Sequence, residues 1–454
     1  MRFIETLKNI WKISELKNRI FFTLIILAVY RFGSQIVLPG IDVEAASGLG
    51  NKGEGILGLL DAFTGGALAQ ASVFALGIMP YISASIVVQL MGIAIPYLQK
   101  LQKEGASGQK KITQITRWLT IGICLLQAPA YLASLEFLGV QRFITDPDTG
   151  EIIRRGIDTM ELGGFWFGAT STIFLVTGCI FAMWLGEKIT DKGIGNGISI
   201  LITVGIIATL VPGYTNAFDD RVDTASEMMI FVEIVVWLAI ILACVMLVMA
   251  VRKIVVQYAR RSASGSFDRN MATKRQYIPL KLNASGVMPI IFAQALMFLP
   301  GTLGEYLGIT WLSTNFANIF GFWYNIVFGL LIIVFTYFYT AITVPTNKIA
   351  DDLKRGGGFI PGVRPGSETS NVLDIIMSNI TLPGSIFLAL IAVFPAFVFN
   401  FMEVNQSWAL FFGGTSLLIM VGVAIDTMQQ VNSYLLNKHY DGLMKSGRDR
   451  KPAI

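Results

Sequence analysis

Ten stretches of mostly apolar residues constrain this chain more than any other feature. They run Ile20–Leu38, Gly77–Tyr97, Trp118–Leu138, Gly164–Leu185, Asn196–Val211, Met229–Val251, Ala284–Leu303, Phe322–Thr343, Leu382–Phe401 and Trp408–Ile425. A helix needs about 20 such residues to cross the hydrocarbon of a bilayer, and each stretch is near that length. Composition points the same way: 54% hydrophobic and 14% charged residues over 454 positions, with mean hydropathy +0.62, are too apolar for one soluble core. Ten membrane crossings follow.

Charge placement tests that count independently, because Lys and Arg in short loops stay on the cytoplasmic side. With the N-terminus inside, 29 of the 35 basic residues fall in inside segments. The exceptions, Arg31, Lys52, Arg142, Arg154, Arg155 and Arg221, lie in or beside outside loops. A single missed crossing would scramble this asymmetry, so both termini are expected to be cytoplasmic. The sequence pI of about 9.0 is therefore first an orientation signal. Residues 1–19 alternate apolar and charged positions at helical spacing, without a signal-peptide cleavage pattern, and read as an amphipathic helix along the cytoplasmic face.

Catalytic readings find little support. The only histidine, His439, stands in the C-terminal tail of residues 429–454, which leaves no Ser/His or Cys/His pair within the crossings. The phosphate-cradling GxxxxGK[ST] loop is absent, and the Gly-rich Lys354–Gly366 follows a crossing rather than a β-strand. Cys124, Cys179 and Cys244 all fall within crossings, with no close partner in sequence, and imply neither a disulfide nor a metal site. The chain reads as a non-enzyme with no cofactor.

"GIMPYISASIV" at Gly77–Val87 recurs as "GVMPIIFAQA" at Gly286–Ala295, with Gly77/Gly286, Met79/Met288, Pro80/Pro289, Ile82/Ile291 and Ala84/Ala293 identical. The first copy heads inward and the second outward. An inverted repeat divides the chain into a five-helix half over residues 20–215 and another over 216–428. Inverted repeats also build coupled transporters, which makes a small-solute secondary transporter the alternative reading. Such a protein should carry ionisable groups at mid-membrane, but Glu136, Glu233 and Asp426 lie near segment ends. A passive conduit fits better. Between the first two crossings, Gly53–Gly77 carries Asp61, Gln70 and Gly65-Gly66, so it makes a poor crossing. It is either a re-entrant piece in a cavity or a helix lying on the outer surface.

"GIMPYISASIVVQL" (Gly77–Leu90), "WLGEKITDKGIGNGISILI" (Trp184–Ile202), "PLKLNASGVMPIIFAQAL" (Pro279–Leu296) and "GTSLLIMVGVAIDTMQQV" (Gly414–Val431) resemble the SecY family, the central subunit of the Sec protein-conducting channel. The resemblance runs through nearly the whole chain in order. It implies an all-α polytopic fold of ten transmembrane helices in two inverted, pseudo-symmetric halves with a re-entrant plug helix. The implied function is a channel that passes unfolded secretory polypeptides across the bacterial plasma membrane and releases membrane segments sideways into lipid. A pore ring is implied at Ile82, Ile86, Ile198, Ile202, Ile291 and Ile419. The plug is implied at 55–71, including Leu59, Leu60, Asp61, Phe63, Thr64, Gly65 and Gly66. Spacing is consistent with the ring: Ile82/Ile86 and Ile198/Ile202 are each i, i+4 on one helical face.

A lateral gate is implied between the second and seventh helices, where Ser83, Ser85, Gln89 and Gln294 are the polar candidates. Arg252, Lys253, Arg260, Arg261, Arg355 and Arg364 are the expected docking residues for the ribosome, through its RNA phosphates, or for the SecA motor ATPase. Residues 252–281 hold eight basic residues and one acidic, Asp268. The Arg355–Arg364 loop, rich in Gly and Pro, is expected to stay unburied. SecE, SecG, signal sequences, nascent chains and membrane lipid complete the implied partners. The outer insert Arg142–Gly156 reads as a small hairpin around Asp-Pro-Asp-Thr-Gly.

Overall fold

The computed structural model describes residues 13–41, 61, 63–137, 141–145, 152–156, 162–223, 227–258, 276–306, 309–402 and 404–448. In chain order its elements are α1 (Ser14–Gly33), α2 (Met79–Ala94), α3 (Pro96–Lys103), α4 (Ala106–Phe137), β1 (Gln141–Thr145), β2 (Ile152–Gly156), α5 (Leu162–Lys192), α6 (Gly197–Asp223), α7 (Glu227–Met249), β3 (Val251–Tyr258), β4 (Gln276–Lys281), α8 (Met288–Tyr306), α9 (Thr310–Ala317), α10 (Phe322–Thr343), α11 (Thr346–Arg355), β5 (Gly358–Phe359), α12 (Ser367–Met402), α13 (Gln406–Ala409) and α14 (Gly414–Arg448). Each of the ten apolar stretches contains a helix. Among the described residues, α5, α6, α7, α10 and α12 are individually long and apolar enough to cross a membrane, and α2 with α3 makes a sixth if the bent pair is one span.

Helix α7 shows why these elements belong in lipid. Met228, Phe231, Val235, Leu238, Leu242 and Met246 recur on its exposed face, while Ile230, Ile240, Cys244 and Leu247 are buried on the other. Apart from its first residue and the buried Glu233, the helix is apolar on every face and leaves none for water.

The second apolar stretch is not one straight helix. It breaks at Ile95, which is extended at φ −102° and ψ 115°, and Met79–Gly92 and Pro96–Gln102 meet at 103°. The ring of Pro96 disfavours helical geometry in the residue before it, which ends α2 and starts α3 in a new direction.

The chain forms two compact units, residues 1–216 with 423–454, and residues 217–422. Both boundaries fall inside continuous helices, α6 and α14. In the first unit, Ile26, Tyr30, Phe74, Ile78, Ala182, Leu185, Ile189 and Leu201 form one buried cluster. A second joins Leu38, Ala71, Ala75, Leu76, Ala128, Leu132 and Leu175. In the second unit, α10 packs along α12, and Phe320 stacks on Phe399 with ring centroids 4.2 Å apart.

Small sheets interrupt the helical architecture. β1 and β2 pair antiparallel from Gln141↔Gly156 to Thr145↔Ile152, the hairpin expected of the outer insert. The second unit holds a three-stranded sheet in the order β4-β3-β5, an element absent from the all-helical expectation. Its cause is local alternation: Ile254 and Val256 point inward from β3 to a core of Leu280, Leu353, Ile360, Leu373 and Met377.

Candidate functional site

The repeated Gly-x-Met-Pro string has the same local structure in both places. Gly77 and Gly286 adopt positive φ, 53° and 64°, and helices α2 and α8 begin two residues later at Met79 and Met288. Glycine takes this left-handed geometry without the Cβ clash that penalises other residues. Proline follows at the second helical position, where no backbone donor is needed. The repeated string is thus a chain-reversal and helix-start device.

Ahead of α2, the segment after Asp61 folds back among the helices of the first unit. Its helical character ends at Thr64, so the expected plug helix over 55–71 does not extend through its last seven residues. Gly65 and Gly66 have φ of 72° and 86°, which breaks the helix into turns. Leu59 and Leu60, also expected in the plug, lie outside the described residues. Asp61 Oδ1 accepts the Ala69 N–H at 2.8 Å, and Thr64 Oγ1 donates to the Asp61 carbonyl at 3.1 Å. Tyr131 donates its hydroxyl to the Leu68 carbonyl at 2.7 Å, and Arg31 Nη1 donates to the Gly65 carbonyl at 2.9 Å. Leu38 N–H and Val73 N–H bond the Ala71 and Ile36 carbonyls. Side chains and main chain of neighbouring elements thereby satisfy this non-helical backbone, as low-dielectric surroundings require.

Phe63 and Thr64, both buried, line a small cavity with Tyr30, Ile78, Met79, Ile82 and Ile202. The structure therefore brings Ile82 and Ile202 together around the fold-back segment. Ile86 is buried on α2, and Ile198 packs with Ile82 against the Tyr30 cluster; neither lines the cavity. Ile291 and Ile419 belong to the second unit, Ile291 half-buried on α8 and Ile419 buried on α14.

Of the polar gate candidates, Gln89 Nε2 donates to Ser85 Oγ at 3.4 Å one turn away on α2. Ser83 is half-buried on α2, as is Gln294 on α8. Arg252 and Lys253 are exposed on β3, opposite Leu280 and Pro279. Arg355 ends α11 exposed, and Arg364, with 87% of its side chain exposed, lies 3.9 Å from Glu368. Arg260 and Arg261 lie outside the described residues. The expectation that the Arg355–Arg364 loop stays unburied is corrected: Gly358 is buried against Tyr258 and Ile360 joins the sheet's core. Pairing of Gln257 with Phe359 and Tyr258 with Gly358 ties the two basic loops into one sheet. Alternating apolar residues were the signal for β3 and β4; a two-residue strand gives none.

Two further contacts were invisible in sequence. Cys124 on α4 and Cys179 on α5 lie beside each other, and both are buried free thiols. Arg221, in the last turn of α6 beside the α6–α7 connection, pairs with Glu233 on α7. Among the described residues no group of His, Cys, Asp and Glu could hold a metal ion.

Fold and site define a polytopic α-helical membrane protein with a non-helical segment packed back among its helices. The SecY family model matches residues 72–428. The protein translocase subunit SecY of Chlamydia trachomatis is 36% identical over 462 residues, covering 98% of this chain and 99% of the relative. That of Streptomyces scabiei is 38% identical over 444 residues, covering 96% and 98%. The fold is similar to a solved protein-conducting channel, with TM-score 0.59, 17% identity and 92% of each chain covered. It is similar also to a SecY structure in which the plug domain is described as stabilising the closed state (TM-score 0.58, 18% identity, 92% of each), and to Sec61 in a canine ribosome–channel complex (TM-score 0.57, 17% identity, 92% of each). The chain belongs to the SecY family.

Proposed function

We propose that the chain is the central subunit of a protein-conducting channel in a bacterial plasma membrane, passing unfolded polypeptides across and releasing apolar segments sideways into lipid. The observation that carries this reading is the packing of Phe63 and Thr64 over Ile82 and Ile202 around one small cavity. An apolar waist stops ions by dewetting without a binding site, and Ile side chains can close around an arbitrary chain without hydrogen-bonding to it. Family membership favours this conduit over a coupled small-solute transporter.

In this reading Ile82, Ile86, Ile198, Ile202, Ile291 and Ile419 form the pore ring, and residues 55–71 the plug. Ser83, Ser85, Gln89 and Gln294 supply weak interhelical contacts at a lateral gate, each worth roughly 0.6–2 kcal/mol and so readily parted by a signal sequence. Both termini face the cytoplasm, as do Arg252, Lys253, Arg260, Arg261, Arg355 and Arg364, which receive a ribosome or SecA. SecE and SecG are the small membrane partners. The ribosome-bound similar structure and the exposure of Arg355 and Arg364 support the docking role.

Reconstitution tests the proposal. Vesicles holding the chain with its small partners, supplied with SecA and ATP, should carry a secretory precursor into a protease-protected lumen. Precursor that stays protease-sensitive throughout would refute the channel. Orientation is tested by membrane-impermeant labelling of Arg260→Cys, where labelling from outside intact cells would sink the ten-crossing topology.

A further inference from the structure

Arg31 touches the fold-back segment at its Gly65-Gly66 turn. It stands half-buried in the last turn of α1 and donates to the Gly65 carbonyl at 2.9 Å. A cation within a membrane-embedded unit is costly unless satisfied, and a carbonyl accepts a charge-assisted bond stronger than a neutral one. The same turn also rests on bare backbone of α6. A Cβ on Gly65 would come 2.8 Å from Gly205 Cα, and a Cβ on Gly205 2.7 Å from the Phe63 carbonyl oxygen. Residues 63–65 therefore pack against both the Arg31 guanidinium and the Gly205 backbone of α6.

We propose that Arg31 is a positioning residue that latches the plug shut and so sets how strong a signal sequence must be to open the channel. The inference rests on reading residues 55–71 as the plug. The latch acts on main chain, so it does not depend on which side chains the plug carries. It is also reversible, because the guanidinium exchanges the Gly65 carbonyl for water once the turn moves. The acidic residue nearest the turn in sequence is already engaged within it, since Asp61 Oδ1 accepts from Ala69 N–H. At the Gly65 turn the guanidinium of Arg31, a long side chain from α1, supplies the side-chain hydrogen bond, and a signal sequence that disturbs that helix would release it.

The test compares Arg31→Leu, Arg31→Lys, Gly205→Ala and deletion of residues 55–71 in reconstituted channels. Three readouts are used: resting conductance in planar bilayers, maleimide labelling of a Thr64→Cys reporter, and export of a weak-signal precursor relative to a strong-signal one in the same vesicles. The ratio cancels differences in the amount of folded channel. Arg31→Leu should raise resting open events about tenfold, the change that roughly 1.4 kcal/mol produces, with faster reporter labelling and a higher export ratio. Arg31→Lys should recover part of the effect. Gly205→Ala, which lifts the turn off α6, should reproduce it, and combining it with Arg31→Leu should give less than the product of the two. If Gly205→Ala opens the channel while Arg31→Leu behaves as wild type in all three readouts, the seat is real and the latch is refuted. If deleting residues 55–71 changes nothing either, the plug reading itself fails and the latch with it.

Discussion

Arg221 and Glu233 form an ion pair inside the second unit, Nη2 to Oε1 at 3.0 Å, with side chains only 15% and 3% exposed. Arg221 also donates to the Met402 carbonyl, so one guanidinium joins the ends of α6 and α12 to the start of α7. Removing one partner of a buried pair leaves an uncompensated charge, at about 3–5 kcal/mol. Glu233→Leu or Arg221→Leu alone should lower the thermal midpoint of the detergent-solubilised protein sharply. The double replacement should recover much of the loss, and additive losses in the double variant would contradict the pairing.

On the proposed pore ring, replacing Ile82, Ile86 and Ile291 together by Ser should raise resting ion leak several-fold, because hydroxyls would hold water at an apolar waist. Adding Ile202→Ser, which lines the same cavity as Ile82, should raise it further. Planar-bilayer recording gives the answer. A leak unchanged in the quadruple variant, and still unchanged after plug deletion, would make these isoleucines ordinary packing residues.

The two repeat glycines should respond unequally to alanine. At Gly286 a Cβ meets nothing within 4 Å, so only the left-handed backbone is strained, at roughly 1–2 kcal/mol. At Gly77 the Cβ also comes 3.1 Å from Thr64 Cγ2. Gly77→Ala should therefore cost more stability and raise resting conductance, while Gly286→Ala affects thermal stability alone. Equal effects on conductance would separate Gly77 from the plug.

Tyr258 and Gly358 make the sheet a test of docking. A Cβ at Gly358 would stand 2.9 Å from the Tyr258 ring, so Gly358→Val should unpair β5 at about 1–3 kcal/mol and displace Arg355. Translocation should weaken in Gly358→Val and stop in Arg355→Glu, with both proteins still inserted in the membrane. Normal secretion by Arg355→Glu would remove the docking role.

Burial pushes the Asp61 carboxyl above its ordinary 3.8, against opposing hydrogen bonds from the Ala69 and Leu68 backbone. A raised value means that folding favours the protonated form, so this contribution is present at low pH and lost as pH rises through the raised value. Asp61→Asn keeps an acceptor for the Ala69 N–H and never ionises. Above that value its resting leak should lie below wild type, and below it the two should converge. A higher leak in Asp61→Asn at neutral pH would show that the charge itself holds the plug.

The sequence by itself determined where helices form, which loops carry the positive charge, and where the repeated Gly-Met-Pro device starts α2 and α8. These are properties of short contiguous strings: an apolar run too long for a water-soluble turn, a glycine before a proline, a lysine near a span. Even the break at Ile95 was written locally, in Pro96. Tertiary structure alone decided that Arg31 reaches Gly65, that Arg221 pairs with Glu233 and reaches the Met402 carbonyl, that Cys124 lies beside Cys179, and that a two-residue strand at Gly358 completes a sheet begun at Val251. Each of those depends on two segments brought together by packing, most of them to within hydrogen-bond range. Hydrophobicity acts on any neighbour and can be read one residue at a time, whereas a hydrogen bond requires a particular partner in a particular direction, and only the packed helices supply it.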